Sequence, residues 1–350
     1  MESLQALESR LRGVCRASGL EPRRIEWLPA ALSLRRFARI HTASRAAPTA
    51  VARIETPEDP AGRPAGVAPE PPHEPIRALY ERAGLPVPRR IGGDPAHGID
   101  LLEDVGDLSL QSAAGGLAAD ARTGIYREAC SLAPRIQAIA PAPGVAAFTR
   151  TLDAALFAYK ADLVARYGLA ARGRPATPAE AAVVRDAFAW IAAQMAAAPQ
   201  RLAHRDFQSA NLYVREGAPH GARVWMIDLQ GAFLAPPEYD LVSLLRDSYV
   251  ELPEDEIAAH CAAVRPALPD APDAETFARR FDLLTLTRKG KDHARFLYAA
   301  RERGDERYLA YAPTTVRQLR RAAARASQRD ARIADLAALL HELPESPCAR

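Results

Sequence analysis

His204-Arg205-Asp206-Phe207-Gln208-Ser209-Ala210-Asn211, HRDFQSAN, sets an aspartate two residues after a histidine and an asparagine five residues after that aspartate. Shortly downstream the apolar run Val224-Trp225-Met226-Ile227 ends in Asp228. A lone H-x-D is weak, because an aspartate after a histidine is often only a turn or cap residue. The joint pattern of base, amide and strand-end carboxylate is much harder to obtain by chance.

Phosphoryl transfer from ATP needs few protein groups. A carboxylate must orient the attacking hydroxyl and accept its proton, and oxygen ligands must hold the magnesium that bridges the phosphates. Magnesium takes carboxylate and amide oxygen, usually only one or two from the protein. Asp206 has the character of the base, and Asn211 and Asp228 that of the two metal ligands. The spacing H-x-D-x-x-x-x-N, then an apolar run ending in Asp, matches the protein-kinase catalytic loop and its metal-binding aspartate. Here IDLQ stands in place of D-F-G, which points toward small-molecule relatives of protein kinases.

Around this segment the chain reads as two parts. Residues 3–18 carry Leu4, Leu7, Leu11 and Val14 at helical spacing. RIEWLPAALSLRRFARIHTA and TAVARIET read as strands around a polar turn, and VPRRIGGDPAHGIDLLEDVGD as strand, turn, strand. Residues 56–75 hold many prolines and read as a loop. IRALYERAGL is a helix that stops at Gly84. After EDVGDLSL come Ala- and Leu-rich helical stretches at 117–140, 149–167 and 177–197, then the two short strands of the motif, then helix again from Tyr239 to about Leu339. The expected division is 1–104 and 105–350.

The 350 residues are 48% apolar and 25% charged, with a net charge of +3, so composition gives no reason to expect nucleic acid or a membrane as partner. Cys15, Cys130, Cys261 and Cys348 lie far apart, which suggests neither a disulfide framework nor a zinc site. No signal peptide or membrane-length apolar run is visible, and a cytoplasmic protein is expected. Lysine occurs only at 160, 289 and 291.

HRDFQSANLYV, MIDLQGA and PPEYDLVSLLRDSYV resemble the aminoglycoside phosphotransferase and choline kinase-like superfamily. They are most similar to the bacterial branch of N-acetylmuramate/N-acetylglucosamine anomeric sugar kinases. SLRRFARI (33–40), LLEDVGD (101–107) and FDLLTLTRKGKDHARFLY (281–298) extend the resemblance over about residues 30–310. It implies an α+β, two-lobed protein-kinase-like fold, with a small mixed N-lobe built on an antiparallel sheet and a large, mainly helical C-lobe. ATP would lie in the cleft, Asp206 would be the base, and Asn211 and Asp228 would hold Mg2+. Ser33, Arg35 and Arg36 would lie near the phosphates, with the backbone around Leu102, Glu103 and Asp104 near adenine. His204 would hydrogen-bond backbone in the loop, and Tyr239 and Asp240 would brace it. The expected partner is a small-molecule acceptor, a sugar, on a monomeric protein.

The chain departs from the kinase pattern in two respects. Without a lysine before residue 160, the usual phosphate-binding lysine of the small lobe cannot exist. Arg53 is the nearest cation on the equivalent strand and Glu74 its expected partner. The glycine-rich loop is missing as well. Two alternatives stay open: a kinase of aminoglycosides or other small hydroxyl compounds, and a non-catalytic nucleotide-binding relative. Lys289, Lys291 and His293 read as an exposed basic helix face.

Overall fold

A computed structural model describes residues 3–29, 35–45, 47–55 and 70–346. Ser33 and residues 56–69 of the proline-rich stretch lie outside the described residues. The chain divides into two compact units, Met1–Val67 with Pro86–Asp107, and Ala68–Leu85 with Leu108–Arg350. The main cut falls at Asp107, and residues 68–85 cluster with the second unit.

The first unit packs one helix on one sheet. Helix α1 (Leu4–Ala17) starts where Ser3 accepts the amide of Ala6 at 3.2 Å, satisfying a donor the helix cannot. Strands β1 (Pro22–Trp27), β2 (Arg36–Thr42), β3 (Thr49–Ile54), β4 (Arg90–Asp94) and β5 (Ile99–Glu103) form an antiparallel sheet in the order β1-β2-β3-β5-β4. Alternation puts Ala38, Ile40, Ala50, Ala52, Ile54, Ile99 and Leu101 on one face, where they meet Leu7, Leu11, Val14 and Cys15 of α1. The end of α1 crowds β4: a Cβ on Gly92 would come within 2.1 Å of Ser18 Oγ.

The second unit is mainly helical, as expected. It holds α2 (His73–Arg82), α3 (Leu110–Ala114), α4 (Ala119–Cys130), α5 (Leu132–Gln137), α6 (Ala154–Leu163), α7 (Pro178–Ala196), α8 (Tyr239–Leu245), α9 (Glu254–Val264), α10 (Ala274–Arg303), α11 (Ala312–Arg329) and α12 (Ala334–His341). Two small antiparallel ladders interrupt the helices, β6 (Arg201–Ala203) with β9 (Phe233–Ala235) and β7 (Leu212–Val214) with β8 (Val224–Met226). Helix α10 is buried around its circumference and forms the spine of the unit. Its Gly290 permits a close approach, since a Cβ there would lie 3.1 Å from Val164 Cγ2. Val164 opens a one-turn π-helix, Val164–Gly168, directly after α6. Among the described residues no helix is long and apolar enough to cross a membrane.

Candidate active site

The HRDFQSAN segment leaves β6, turns, and enters β7. Its path is fixed from α8. The carboxylate of Asp240 accepts the backbone N–H of His204 at 2.7 Å and of Arg205 at 3.0 Å. Arg205 has φ +79°, a conformation non-glycine residues rarely adopt, so these bonds hold a strained turn. Just past α8, Asp247 accepts the amide of Ser209 at 2.7 Å and also its hydroxyl. Burial pushes the carboxyls of Asp240 and Asp247 above the usual range, and nearby cations and amide donors oppose the rise. His204 is fully buried, and its Nε2 donates to the carbonyl of Ile227 at 2.9 Å. A carbonyl only accepts, so the proton sits on Nε2. His204 therefore ties the loop to the strand before Asp228, the structural role expected of it.

Asp206 sits at the apex, with 34% of its side-chain surface exposed. Burial would raise its pKa, but the charges of Arg205 and Arg288, then Lys291 and His204, outweigh it and bring it down to about 2. Arg288 is buried and braces the same turn. It donates to the carbonyl of Arg205 at 2.9 Å and to the Tyr239 hydroxyl at 3.2 Å, and reaches Asp206 Oδ1 at 3.5 Å. Gly231 faces the carboxylate: a Cβ on it would lie 3.6 Å from Asp206 Oδ2.

The β7–β8 ladder brings the two expected metal ligands to one end. Leu212 pairs with Met226, and the amide of Ile227 donates to the carbonyl of Asn211 at 3.0 Å. Asn211 and Asp228 thus flank the last rungs of one hairpin. The Asn211 amide nitrogen donates to the Asp206 carbonyl at 2.9 Å, which leaves its side-chain oxygen to act as a ligand. Asp228 has φ +62° and ψ +47°, and Gln230 donates to its Oδ1 at 2.6 Å. No group of three or more His, Cys, Asp or Glu that could hold a metal occurs among the described residues. One amide oxygen and one carboxylate suit magnesium, which keeps most of its shell for water and phosphate.

The residues read as nucleotide contacts lie in both units. Arg53 is buried on β3 of the first and pairs with Glu55 and, at 3.6 Å, with Asp100. Glu74 lies on α2 of the second and pairs with Arg77 at 2.7 Å. Arg35 pairs with Glu55 at 3.1 Å, and Arg36 is exposed on β2. Leu102 and Glu103 lie in β5, an inner strand paired on both sides. Asp104 follows the strand, and Arg39 grips its carboxylate at 2.6 Å and holds it below the usual range against the opposing effect of burial.

One sequence reading is corrected. The segment at 289–293 is not an exposed basic face: Lys289 and His293 are buried, with 2% and 1% of their surface accessible. Lys289 pairs with Asp292 at 2.7 Å and donates to Ser248 at 3.0 Å, while Lys291 pairs with Asp292 at 2.6 Å. A basic run on an α-helix gives no sign of burial when the whole helix is enclosed. Arg288 was missed for the same reason, whereas Asp247 was within reach in YDLVSLLRD, seven residues after Asp240.

A family model described as "Phosphotransferase enzyme family" matches residues 25–277. The N-acetylmuramate/N-acetylglucosamine kinase of Neisseria meningitidis serogroup B is 34% identical over 152 residues, 42% of this chain and 43% of that protein. The same-named protein of Pseudomonas putida is 26% identical over 247 residues, 68% of each. The chain thus matches less than half the length of the Neisseria relative. Among solved structures, the gentamicin complex of APH(2'')-IIa superposes with a TM-score of 0.60 at 12% identity, covering 95% of this chain and 99% of that one. A choline/ethanolamine kinase family protein from Mesorhizobium loti gives 0.59 at 13%, covering 96% and 99%. These two likenesses establish the kinase-like fold. With the family model spanning both units and the whole Asp206–Asn211–Asp228 constellation, the chain belongs to the phosphotransferase enzyme family.

Proposed function

We propose that the protein transfers the γ-phosphoryl group of ATP to a sugar of the N-acetylmuramate/N-acetylglucosamine type, at the anomeric hydroxyl. The observation that carries this reading is Asp206, an ionised and partly exposed carboxylate on a loop clamped by Asp240 and Asp247, with Asn211 bonded to its backbone carbonyl and Asp228 flanking the same end of the β7–β8 hairpin as Asn211. The names of the Neisseria and Pseudomonas relatives supply the acceptor class. ATP is supported by a fold neighbour solved as a streptomycin–ATP complex of APH(2'')-IIa, with a TM-score of 0.58.

Asn211 and Asp228 would hold Mg2+, which neutralises phosphate charge when bound. Asp206 accepts the hydrogen bond of the acceptor hydroxyl and aligns it for in-line attack. Neighbouring cations keep this carboxylate ionised, so it can accept the hydrogen bond of the hydroxyl. Most of the acceleration then comes from positioning and from fixed charge. Arg53, Arg35 and Arg36 are proposed to take over phosphate binding from the absent lysine, with Ser33 and Glu74 close to it. The backbone at Leu102, Glu103 and Asp104 is proposed to meet adenine. A cytoplasmic monomer acting in cell-wall sugar recycling fits this reading. The intact base and metal donors weigh against a non-catalytic relative.

Phosphorus NMR of the protein with Mg-ATP and single acceptors tests the proposal. The panel holds N-acetylmuramate, N-acetylglucosamine, glucosamine, choline and kanamycin. A sugar 1-phosphate signal is expected. A phosphate ester on kanamycin or choline instead would overturn the acceptor.

A further inference from the structure

A cavity of about 350 Å³ opens between α9, the first part of α10 and the end of α11. None of its lining residues belongs to the HRDFQSAN loop or to the β7–β8 hairpin. Its volume lies within the range of small-molecule sites. Ile257, Phe277 and Phe281 form a buried floor, and the two rings stack with their centres 5.8 Å apart. Ala258, Ala262 and Ala274 are exposed on the rim, so solvent reaches the floor between α9 and α10. Cys261 adds an uncharged thiol, because burial pushes its pKa up to about 12.

The charged groups on the wall are four arginines, Arg246, Arg265, Arg325 and Arg329, and two carboxylates, Glu254 and Asp282. Both carboxylates are saturated. Glu254 accepts Arg246 on both oxygens, then Arg321 on Oε1 at 3.3 Å and Arg325 on Oε2 at 3.1 Å. Asp282 accepts Arg325 twice on Oδ1, at 2.9 and 3.0 Å, and on Oδ2 takes Arg325 at 3.2 Å and Arg329 at 2.7 Å. A carboxylate has about four lone-pair sites, so neither has one to spare. The acids behind them are also taken, Glu251 by Arg317 and Arg321 and Glu275 by Arg329. The arginines still have N–H groups to give. Arg246 is 3% exposed and commits Nη1 and Nη2 to Glu254, but its Nε has no hydrogen-bond partner among the described residues. Its guanidinium carbon lies 5.6 Å from the Phe281 ring centre, so the unused donor and the aromatic floor adjoin. A buried donor left unpaired is costly, and a ligand oxygen that accepts it removes the cost. The wall therefore offers donors and apolar surface and no free carboxylate acceptor.

We propose that this cavity binds a small aromatic carboxylate, with its ring on Phe277 and Phe281 and one oxygen accepting from Arg246 Nε. The site is separate from that of phosphoryl transfer, so its ligand competes with neither nucleotide nor sugar. Arg246 is the chain neighbour of Asp247, which clamps Ser209, so the occupant sits one residue from the support of the catalytic loop.

The test is calorimetric titration of 2-naphthoate, and of the neutral 2-naphthylmethanol, into wild type, Ala258→Trp, Ala262→Trp and Arg246→Lys, with and without saturating Mg-ADP. Ala258 and Ala262 are exposed, so a tryptophan at either fills the cavity without entering the core, and thermal unfolding checks that each variant is folded. Wild type should bind 2-naphthoate at least about tenfold tighter than the alcohol, as one charged hydrogen bond allows, with or without Mg-ADP. Each tryptophan variant should weaken both compounds by about tenfold or more. Arg246→Lys keeps the charge and removes the Nε donor, and should bring the two compounds within about threefold. No binding of 2-naphthoate by wild type, equal binding of the alcohol, full affinity in the folded tryptophan variants, an undiminished preference in Arg246→Lys, or displacement by Mg-ADP would overturn the site. A dimer in sedimentation equilibrium that Ala262→Trp dissociates would seat a second copy of the chain there and overturn it as well.

Discussion

Asp240 holds Arg205 at φ +79° by accepting its amide at 3.0 Å, and with the other carboxylate oxygen takes the amide of His204 at 2.7 Å. The strained residue immediately precedes the proposed base, so the orientation of Asp206 depends on a side chain thirty-four residues downstream. Asp240→Ala leaves two buried donors unsatisfied and the strain unopposed. It should lower stability by about 2–4 kcal/mol and kcat by about tenfold or more, checked by denaturant unfolding and by turnover. Unchanged values for both would remove Asp240 from the loop's support.

Arg288 donates through Nη1 to the Arg205 carbonyl and the Tyr239 hydroxyl, and through Nη2 reaches the edge of Asp206. Lysine cannot reproduce that fork. Arg288→Lys should therefore lose about tenfold or more in kcat with less than about 2 kcal/mol lost in stability, measured on the same sample. Full activity in the lysine variant would show that only the charge matters.

Much of the proposed site is legible in the sequence, because one short segment carries the spacing that suggests its chemistry. Asp206, Asn211 and Asp228 needed only their own neighbourhood to be read. The groups brought from α10 and α6 did not. Arg288, Lys289 and Lys160 look solvated in a local window, and only the packing of α10 and α6 shows that they are buried. The first unit reads well for a related reason: alternation along β2, β3 and β5 is a local signal, as is the apolar stripe of α1. The three-residue ladder β6–β9 is too short to leave a pattern.

His293 is fully buried, Nε2 has no hydrogen-bond partner, and burial lowers its pKa to about 4. The unfolded chain binds a proton near pH 6.5 that the folded chain refuses until about pH 4. Stability from this residue is thus present above pH 6.5 and lost as pH falls toward 4, by up to roughly 3 kcal/mol. Unfolding free energies of His293→Gln and wild type, compared from pH 7.5 to 4, should show a shallower acid slope for the variant. Parallel curves would contradict the assignment.

Gly92 in β4 has Ser18 where its side chain would be: a methyl carbon at that position would lie 2.1 Å from Ser18 Oγ and 2.5 Å from Ser18 Cβ. Gly92→Ala should cost about 1–3 kcal/mol in thermal or urea unfolding. Ser18→Gly in the same chain removes both clashing atoms and should restore most of the loss. Additive destabilisation would mean that the contact is not the cause.

The central claim is that Asp206 is the base of a magnesium-dependent phosphoryl transfer to a sugar. Its most direct test compares turnover of Mg-ATP and N-acetylmuramate by wild type and Asp206→Asn, with ATP affinity measured on both proteins. The account predicts turnover in the wild type, a fall of roughly 10²–10⁴-fold in kcat for the variant, and ATP binding within a few-fold of wild type. Undiminished turnover in Asp206→Asn, or a wild type that binds Mg-ATP and transfers nothing to any sugar, would contradict it.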